Sequence, residues 1–410
     1  MQRLYRGKND TMTHNPTPHR LCVLECSADM GGVQHSTLNL LRCLDRTVWD
    51  VVVVLPLEGP LTQELGKLGL AFQLLPMRPL ASTSRWTDGL QRRPAPLAWL
   101  RNALALVTAL PALVRLLRTL RAEVLYSKGL QSHLLGGLAA WIARIPCVWH
   151  VQDVISERHA GINVRIMDLL AACFATKLIA DGRAIAGQYS QRIRGRTEMI
   201  LNGVDTGLFE PGNSPQTRGE LGIPEHALCI GHVARVTPWK GQAALLEAFL
   251  LLAGRHRDAQ LLFVGGPLFD GEQYMRDLQA TALRSDYAQR IHFTGYRSDL
   301  PDLYRAMDIF AYPALEKDTS PLALLCALAS GLPAVGFAID GVTEIADAGT
   351  GLLTVPVGDV ASLATALESL LSDAAHRKAM GEAARNMALR HFALPEYAGK
   401  CEQVLLSVLR

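Results

Sequence analysis

The chain has 410 residues, of which 49% are hydrophobic and 19% are charged. This composition excludes an intrinsically disordered protein, because disorder requires low hydrophobicity and high net charge. The net charge of +3 is too small to indicate a nucleic-acid-binding protein. The eight cysteines form no CxxC pair and lie mostly in apolar runs. We interpret them as buried reduced thiols in a cytosolic protein and expect no zinc site.

The N-terminal segment, residues 1–20, is polar, and we predict that it is disordered and is not a secretory signal. The longest apolar stretch, residues 97–120, contains three arginines and a proline. Its longest charge-free run, from Asn102 to Val114, has 13 residues. A membrane-spanning helix needs about 20 apolar residues, so we predict no transmembrane helix.

Short apolar runs alternate with helical segments through the first half of the chain. Continuous Val, Ile and Leu runs are typical of parallel strands buried on both faces, and their alternation with helices indicates right-handed βαβ units. The predicted strands are 21–25, 51–55, 71–75, 123–126, 147–151, 177–180 and 198–201. The predicted helices are 33–44, 61–69, 97–121, 131–143, 161–175 and 183–192.

The alternation restarts after residues 210–226, a segment rich in Pro, Gly and polar residues that we interpret as a linker. The predicted strands that follow are 228–234, 260–264, 290–294, 308–312, 333–337 and 352–355. The predicted helices are 240–254, 271–284, 299–306, 321–330, 342–347, 359–371, 374–391 and 395–409. The pattern therefore predicts two doubly wound α/β domains. Ligands of such sheets bind at the carboxyl ends of the strands, which predicts a cleft between the domains.

Two features of the first half carry candidate chemistry. Gly31 and Gly32 lie between the first strand and a helix, where the backbone allows an anion to approach the free N–H groups of the helix. A plain turn is the alternative. His150 lies at the carboxyl end of a predicted strand, where sites are built, and histidine binds protons and hydroxyls near neutral pH. A hydrogen-bonded structural histidine is the alternative there.

Two features of the second half point to phosphate chemistry. Arg235 and Lys240 flank a loop between a strand and a helix, and two cations beside a helix start suit a diphosphate. The alternative is a pair of solvated surface charges. Further on, Thr319 or Ser320 is predicted to cap a helix that starts at Pro321. Gly331 is predicted to end that helix, and a glycine turn at 340–341 opens another.

Seven segments in order resemble retaining glycosyltransferases of the family 4 type: 31–33 (GGV), 150–153 (HVQD), 202–209 (NGVDTGLF), 231–242 (GHVARVTPWKGQ), 293–300 (FTGYRSDL), 318–335 (DTSPLALLCALASGLPAV) and 340–345 (DGVTEI). The resemblance implies the α/β fold called GT-B, in which two Rossmann-like doubly wound parallel-sheet domains face each other across a cleft. It implies an acceptor-side domain at 21–207 and a nucleotide-sugar-binding domain at 208–392. Residues 393–410 would form a helix that crosses back to the first domain.

The resemblance also implies roles for single residues. Arg235 and Lys240 would hold the donor diphosphate and stabilise the leaving group without a metal or another cofactor. His150 would contact the transferred sugar, and Asp318 is the fourth candidate catalytic residue. The implied donor-binding residues are Gly31, Gly32, Asn202, Arg235, Lys240, Gly295, Asp318, Pro321, Leu322, Cys326, Gly341 and Glu344.

The chain departs from the family at one pair of positions. The family has two glutamates in the segment that matches 318–335, and Asp318 and Cys326 occupy those positions here. Aspartate keeps the charge with a shorter reach. The second glutamate accepts hydrogen bonds from the nucleotide ribose in the family, and a thiol is a poor substitute. The change predicts weaker donor binding, a differently held donor, or a loss of activity.

Residues 78–121 contain eight arginines against a single acid, Asp88, with tryptophan and leucines between them. This pattern is typical of an amphipathic segment that docks on an anionic membrane surface. The alternative is an ordinary core helix with a solvated arginine face.

The resemblance thus implies a retaining transferase that moves a sugar from a nucleotide-sugar to a glycan or lipid-linked acceptor. Cell-surface polysaccharide or glycolipid synthesis, in the cytoplasm or on the inner face of the membrane, is the expected setting, with no nucleic acid as a partner. Two alternatives stay open. One is a non-catalytic subunit of the same fold that partners an active transferase, and the other is a sugar-nucleotide isomerase.

Overall fold

Two parallel β-sheets, each formed by one half of the chain, make up the computed structural model. The structure describes residues 17–78, 84–87, 91–94, 96–155, 162–267, 271–316 and 318–409. The predicted fold class is confirmed, because every strand pair within both large sheets is parallel and helices connect the strands.

The first half contains a seven-stranded sheet in the order β3-β2-β1-β6-β7-β8-β9 and a separate antiparallel pair, β4 and β5. The strands are β1 (His19–Leu24), β2 (Trp49–Leu55), β3 (Ala71–Leu74), β4 (Ser84–Thr87), β5 (Gln91–Pro94), β6 (Val124–Lys128), β7 (Cys147–Val151), β8 (Lys177–Ala180) and β9 (Thr197–Met199). The helices are α1 (Gly32–Cys43), α2 (Pro60–Lys67), α3 (Pro96–Thr119), α4 (Leu130–Ala143), α5 (Ile162–Phe174), α6 (Arg183–Gly187) and α7 (Gln191–Arg194).

The second half contains a six-stranded sheet in the order β12-β11-β10-β13-β14-β15. The strands are β10 (Leu228–Val233), β11 (Ala259–Val264), β12 (Ile291–Phe293), β13 (Ile309–Tyr312), β14 (Ala334–Phe337) and β15 (Leu352–Val355). The helices are α8 (Pro215–Leu221), α9 (Gln242–Ala253), α10 (Gly271–Leu283), α11 (Leu300–Arg305), α12 (Leu322–Ala329), α13 (Asp340–Ala346), α14 (Val360–Ser372), α15 (Ala374–His391) and α16 (Leu394–Leu406), with short 3₁₀ turns at Pro238–Lys240 and Ala288–Arg290.

The apolar runs are continuous because each sheet is covered on both faces. Along β1, Leu21 and Val23 belong to one core cluster, whereas Cys22 and Leu24 belong to the cluster on the opposite face. Successive side chains of a strand point to opposite faces, so both sets must be apolar. In both sheets the strand order reverses beside the first strand, at β1 and at β10, which places a crevice at the carboxyl ends of these strands.

The last helix, α16, packs on the first domain, although it follows the second sheet in the chain. Its residues Leu394, Cys401 and Leu405 share a core cluster with β1 and β2. The contact with the segment between the sheets is close, since a Cβ added to Gly203 would lie 2.5 Å from the Cβ of Tyr397. Residue 203 must therefore be glycine for α16 to reach this position.

Three local predictions were wrong. The predicted disordered segment, 1–20, extends too far, because His19 and Arg20 are the first residues of β1. Residues 1–16 lie outside the described part of the chain. The single helix at 183–192 is two short helices, α6 and α7, and the backbone N–H of Ser190 between them donates to Asp168 of α5. The linker at 210–226 contains α8, which Arg218 ties to Asp308 in a 2.6 Å ion pair.

The prediction of a helix cap at Thr319 or Ser320 was also wrong. Helix α12 begins at Leu322 after Pro321, and no side chain caps it. Both hydroxyls have partners outside the helix, as described below. Within the described residues, no helix is both long enough and apolar enough to cross a membrane.

Candidate functional site

The two domains meet at the carboxyl ends of their central strands through direct hydrogen bonds. The Thr319 hydroxyl donates to the backbone carbonyl of Gln152 at 3.0 Å. The backbone N–H of Asn202 donates to the Ser320 hydroxyl at 2.8 Å, and its side-chain amide donates to the Ser320 carbonyl at 3.0 Å. The loop at 318–321, which belongs to the second domain, is therefore held against the first domain at one end of the cleft.

Lys240 and Asp318 form an ion pair on the second-domain wall. The Lys240 ammonium donates to Asp318 and, at 2.7 Å, to the Tyr312 hydroxyl, which itself donates to Asp318. The same ammonium lies 4.3 Å from the ring centre of Trp239. Burial lowers the pKa of Lys240, and the Asp318 carboxylate opposes that shift. Without a ligand, Asp318 therefore partly neutralises the charge predicted to bind a diphosphate.

Arg235 is exposed just after the end of β10, and its guanidinium carbon lies 5.9 Å from the same Trp239 ring centre. Its backbone carbonyl accepts a 2.8 Å hydrogen bond from Gln242, the first residue of α9. The structure thus brings Arg235 and Lys240, which follow β10, close to Asp318, which follows the neighbouring strand β13. A planar guanidinium and an ammonium beside one aromatic ring can bind two phosphate groups.

Glycine allows two backbone segments to approach each other beside this wall. A Cβ on Gly341 would lie 2.1 Å from the carbonyl oxygen of Asp318, so any other residue would displace the 318–321 loop from α13. Gly295 has a φ of +67°, and its carbonyl accepts a 2.9 Å hydrogen bond from the N–H of Gly265. Pro321 and Leu322 continue the loop into α12.

The glycine pair at 31–32 opens α1 as predicted. A Cβ on Gly32 would have no atom of the described residues within 4 Å, so among these residues the space over the helix start is open to an approaching group. Gly31 precedes the helix in an extended conformation, and no side chain caps the helix. These features are consistent with the predicted anion approach.

Glu344 lies in a different setting from the one predicted, because its carboxylate contacts the first domain. It accepts a 2.8 Å hydrogen bond from the backbone N–H of Arg183, the first residue of α6. A Cβ on Gly182 would lie 2.7 Å from the same carboxylate. The Arg183 guanidinium also pairs with Asp347. In this structure Glu344 connects the two domains and does not present a free carboxylate to a donor.

His150 also lies in a different setting from the one predicted. The residue is fully buried, and both ring nitrogens have partners, Tyr126 at Nδ1 and Asp181 at Nε2. Burial lowers its pKa, nearby Lys128 lowers it further, and Asp181 opposes both effects. A ring without exposed surface cannot contact a sugar in the cleft of this conformation. His150 therefore lies beneath the cleft, and the alternative reading, a hydrogen-bonded structural histidine, describes its contacts.

Glycosyltransferase sequences match both halves of the chain. The model of the family described as Glycosyltransferase Family 4 matches residues 30–208. The model of the family described as Glycosyl transferases group 1 matches residues 226–373. The D-inositol 3-phosphate glycosyltransferase of Stackebrandtia nassauensis is 32% identical over 302 residues, which cover 66% of this chain and 67% of that enzyme. The chain belongs to glycosyltransferase family 4.

Other family 4 relatives match over a shorter length. The D-inositol 3-phosphate glycosyltransferase of Corynebacterium kroppenstedtii is 36% identical over 200 residues, 47% of this chain and 44% of that enzyme, so the match spans about half of that relative.

A crystal structure of Anabaena HepE in complex with UDP-glucose superposes with a TM-score of 0.79 at 22% identity, covering 95% of this chain and 99% of that one. The superposition confirms the two-domain fold of the family 4 chain.

Cys326, at the position of the second family 4 glutamate, is half-buried on α12 beside the core of the second domain. Burial raises the pKa of its thiol, and Asp205 raises it further, so the side chain is neutral. The strong acceptor that the family has at this position is therefore missing. Asn202, predicted to bind the donor, is buried and donates a hydrogen bond to Ser320 in the 318–321 loop.

Several buried polar residues at the strand ends of the first domain are absent from the sequence predictions. Glu25 follows β1, Lys128 ends β6, and Asp181 follows β8. Each is only 1% exposed. The rule that selected His150, a polar residue at the carboxyl end of a buried strand, would also have selected these three. Only the structure shows that they lie together.

We predict that Asp318→Asn lowers the pKa of Lys240, because burial then acts on the ammonium without an opposing carboxylate. NMR titration of carbon-labelled lysine side chains measures this directly. Lys378, an exposed residue of α15, serves as an internal control and should not change. An unchanged or raised Lys240 pKa in the variant would contradict the ion pair.

Proposed function

We propose that the protein transfers a sugar from a nucleotide-sugar donor to a glycan or lipid-linked acceptor, with retention of the anomeric configuration. The observation that carries the proposal is that Arg235 and Lys240 both lie beside the ring of Trp239, just after the end of β10. Charge develops on the diphosphate as the bond to the sugar breaks. Two preorganised cations stabilise that charge without requiring a metal ion.

The free site offers a simple way to admit a diphosphate. Asp318 holds the Lys240 ammonium in the absence of a ligand. An incoming phosphate competes with this carboxylate for the same ammonium, while exposed Arg235 is available from the start. The released Asp318 carboxylate can then accept hydrogen bonds from hydroxyl groups of the donor. The complex of HepE with UDP-glucose supports a nucleotide-sugar as the donor class.

Cys326 favours one competing function, a non-catalytic subunit that partners an active transferase. Its neutral thiol replaces a glutamate that binds the nucleotide ribose in the family. Such a subunit would lack donor binding, whereas the proposed transferase must bind at least one donor. Donor titration therefore separates the two functions.

We expect calorimetric titration with UDP-, GDP- and ADP-sugars to show binding of at least one donor. Arg235→Ala should weaken that binding about ten- to hundredfold, the loss expected for hydrogen bonds to a charged group. Arg276→Ala, which removes an exposed arginine from α10, is the matched control and should bind as the wild type does. Absence of binding to every donor would contradict the proposal, and so would equal losses in the two variants.

We further propose that the first domain docks on an anionic membrane surface. The exposed face of α3 carries apolar side chains as well as arginines, with Leu97, Leu104 and Val107 between 58% and 75% exposed. Trp141 on α4 and Leu169 on α5 are each 63% exposed. If α3 were an ordinary core helix with a solvated arginine face, its exposed side would be polar. Instead, α3, α4 and α5 all expose large apolar side chains.

Positive charge accompanies this apolar face. Helices α3 and α4 contain no acidic residue. Arg115 and Arg118 line a groove of about 500 Å³ together with Thr119 and the apolar residues Leu110, Pro111, Val114 and Ile142. The guanidinium of Arg118 reaches across to the Ile142 carbonyl at 3.1 Å. Arginines beside exposed leucines and a tryptophan suit the headgroup and acyl boundary of a bilayer. Of the predicted segment 78–121, the side chains of Arg85, Arg92 and Arg93 lie outside the described residues.

We expect the wild-type protein to float with vesicles that contain phosphatidylglycerol at low salt and to dissociate as salt is added. Leu104→Glu should abolish flotation, because it places an acid among the arginines and removes apolar surface. Leu251→Glu alters a residue of α9 with 52% exposure, similar to the 58% of Leu104, and should float normally. Flotation of Leu104→Glu at the wild-type level would contradict this docking face.

A further inference from the structure

We propose that Asp181 is a positioning residue for sugar transfer, acting through Asn202 on the 318–321 loop of the second domain. The inference rests on the proposed function, since it concerns how the two walls of the donor cleft are held together. Asp181 itself lies beneath the cleft with 1% exposure, so it acts only through the side chains that it binds.

Three donors converge on the Asp181 carboxylate. One oxygen accepts from Nε2 of His150. The other accepts from the side-chain amide of Gln152 at 2.6 Å and from that of Asn202 at 3.0 Å. A carboxylate can only accept, so all three neighbours must turn an N–H group toward it. Asp181 therefore determines which way the Gln152 and Asn202 amides point.

The partners beyond these neighbours fix the same orientation. Burial raises the pKa of Tyr126 well above its usual value, so its hydroxyl keeps a proton to donate to Nδ1 of His150. The remaining ring proton of His150 then lies on Nε2, facing Asp181. The other end of the network begins at Lys128, whose ammonium donates to the Ser36 hydroxyl at 2.8 Å.

Ser36 passes this direction on to Asn202, because its hydroxyl donates to the Asn202 side-chain oxygen. The Asn202 amide thus has its oxygen toward Ser36 and its NH₂ group toward Asp181. A flipped amide would set NH₂ against the Lys128–Ser36 donors and oxygen against the carboxylate. One orientation alone satisfies both ends of the network.

That orientation is the one that binds the second domain. The same Asn202 NH₂ group donates to the Ser320 carbonyl, and the Asn202 backbone N–H donates to the Ser320 hydroxyl. The second loop contact, from Thr319, goes to the carbonyl of Gln152, whose side chain Asp181 also holds. Both contacts thus involve residues whose side chains Asp181 binds, Gln152 and Asn202. On the loop they are made by Thr319 and Ser320, one and two residues beyond Asp318.

The consequence for the reaction is geometric. Asp318 and its partner Lys240 lie on the second domain, whereas the acceptor side is the first domain. A displacement of about 1 Å between reacting groups can cost on the order of a hundredfold in rate. Loss of Asp181 should therefore slow turnover, while a donor that binds mainly to the second domain keeps most of its affinity.

The test is Asp181→Asn, which keeps the shape but lets the residue donate where it must accept. We expect kcat to fall about ten- to hundredfold, as for the loss of a hydrogen bond to a charged group, with little change in donor KM. Ser320→Ala, which removes the hydroxyl that accepts from the Asn202 backbone N–H, weakens the same contact between the domains and should also lower kcat. Ser330→Ala is the matched control, because within the described residues its buried hydroxyl has no hydrogen-bond partner.

A double-mutant cycle with Asn202→Ala separates positioning from a general structural role. If Asp181 acts through Asn202, the kcat losses of the two changes are strongly non-additive. Additive losses, or wild-type kcat in Asp181→Asn, overturn the proposal. If Asp181→Asn does not fold, Asn202→Ala decides, because it removes the side-chain amide that joins Asp181 to the Ser320 carbonyl, and a wild-type kcat in that variant also overturns the proposal.

A second readout does not depend on turnover. Hydrogen exchange of the 318–321 loop should accelerate in Asp181→Asn and in Ser320→Ala, while the strands of the second sheet stay protected. Unchanged loop exchange in both variants overturns the positioning role, even for a chain that binds no donor. Faster loop exchange without any donor binding contradicts the proposed transfer and leaves the positioning role supported.

Discussion

A buried carboxylate of the first domain, whose donors include the residue that binds the second domain, is the constraint on which the cleft depends. Asp181 is inside the protein, and an ionised group there is tolerated only when neighbouring donors replace its water. Its donors come from β7, from the segment after β7 and from the chain that leads to the second domain. The relation between the domains follows from this requirement, because Asn202 also binds Ser320.

The donor wall is arranged around the loop that this constraint holds in place. Gly341 lets α13 approach the loop, and Glu344 on the same helix binds the first residue of α6 in the other domain. The loop then presents Asp318 to Lys240. The contact between the domains and the ion pair at the predicted diphosphate site thus share the 318–321 loop. A phosphate that displaces Asp318 from Lys240 acts on the same loop that joins the domains.

The repeating pattern of the sequence was enough to predict the two sheets, because buried parallel strands must be apolar on both faces, as β1 shows. It also placed Arg235 and Lys240 together at one strand end, whereas Asp318 was a candidate only through the family 4 resemblance. The pattern could not show that His150, still within β7, turns its side chain into the interior while the residues beyond the strand reach the cleft. Thr319 and Ser320 follow local capping rules, but partners in the other domain compete for their hydroxyls, and no local rule contains that information. The apolar surface on α4 and α5 was likewise missed, because its members come from helices that are separate in the sequence.

A crystal structure of the wild-type protein with UDP in the cleft tests the central claim most directly. The account predicts that the Asn202 amide still donates to both Asp181 and the Ser320 carbonyl, while a phosphate oxygen replaces Asp318 as the partner of Lys240. A structure in which UDP is bound but Asn202 has left Ser320, with the 318–321 loop held by other contacts, would contradict it.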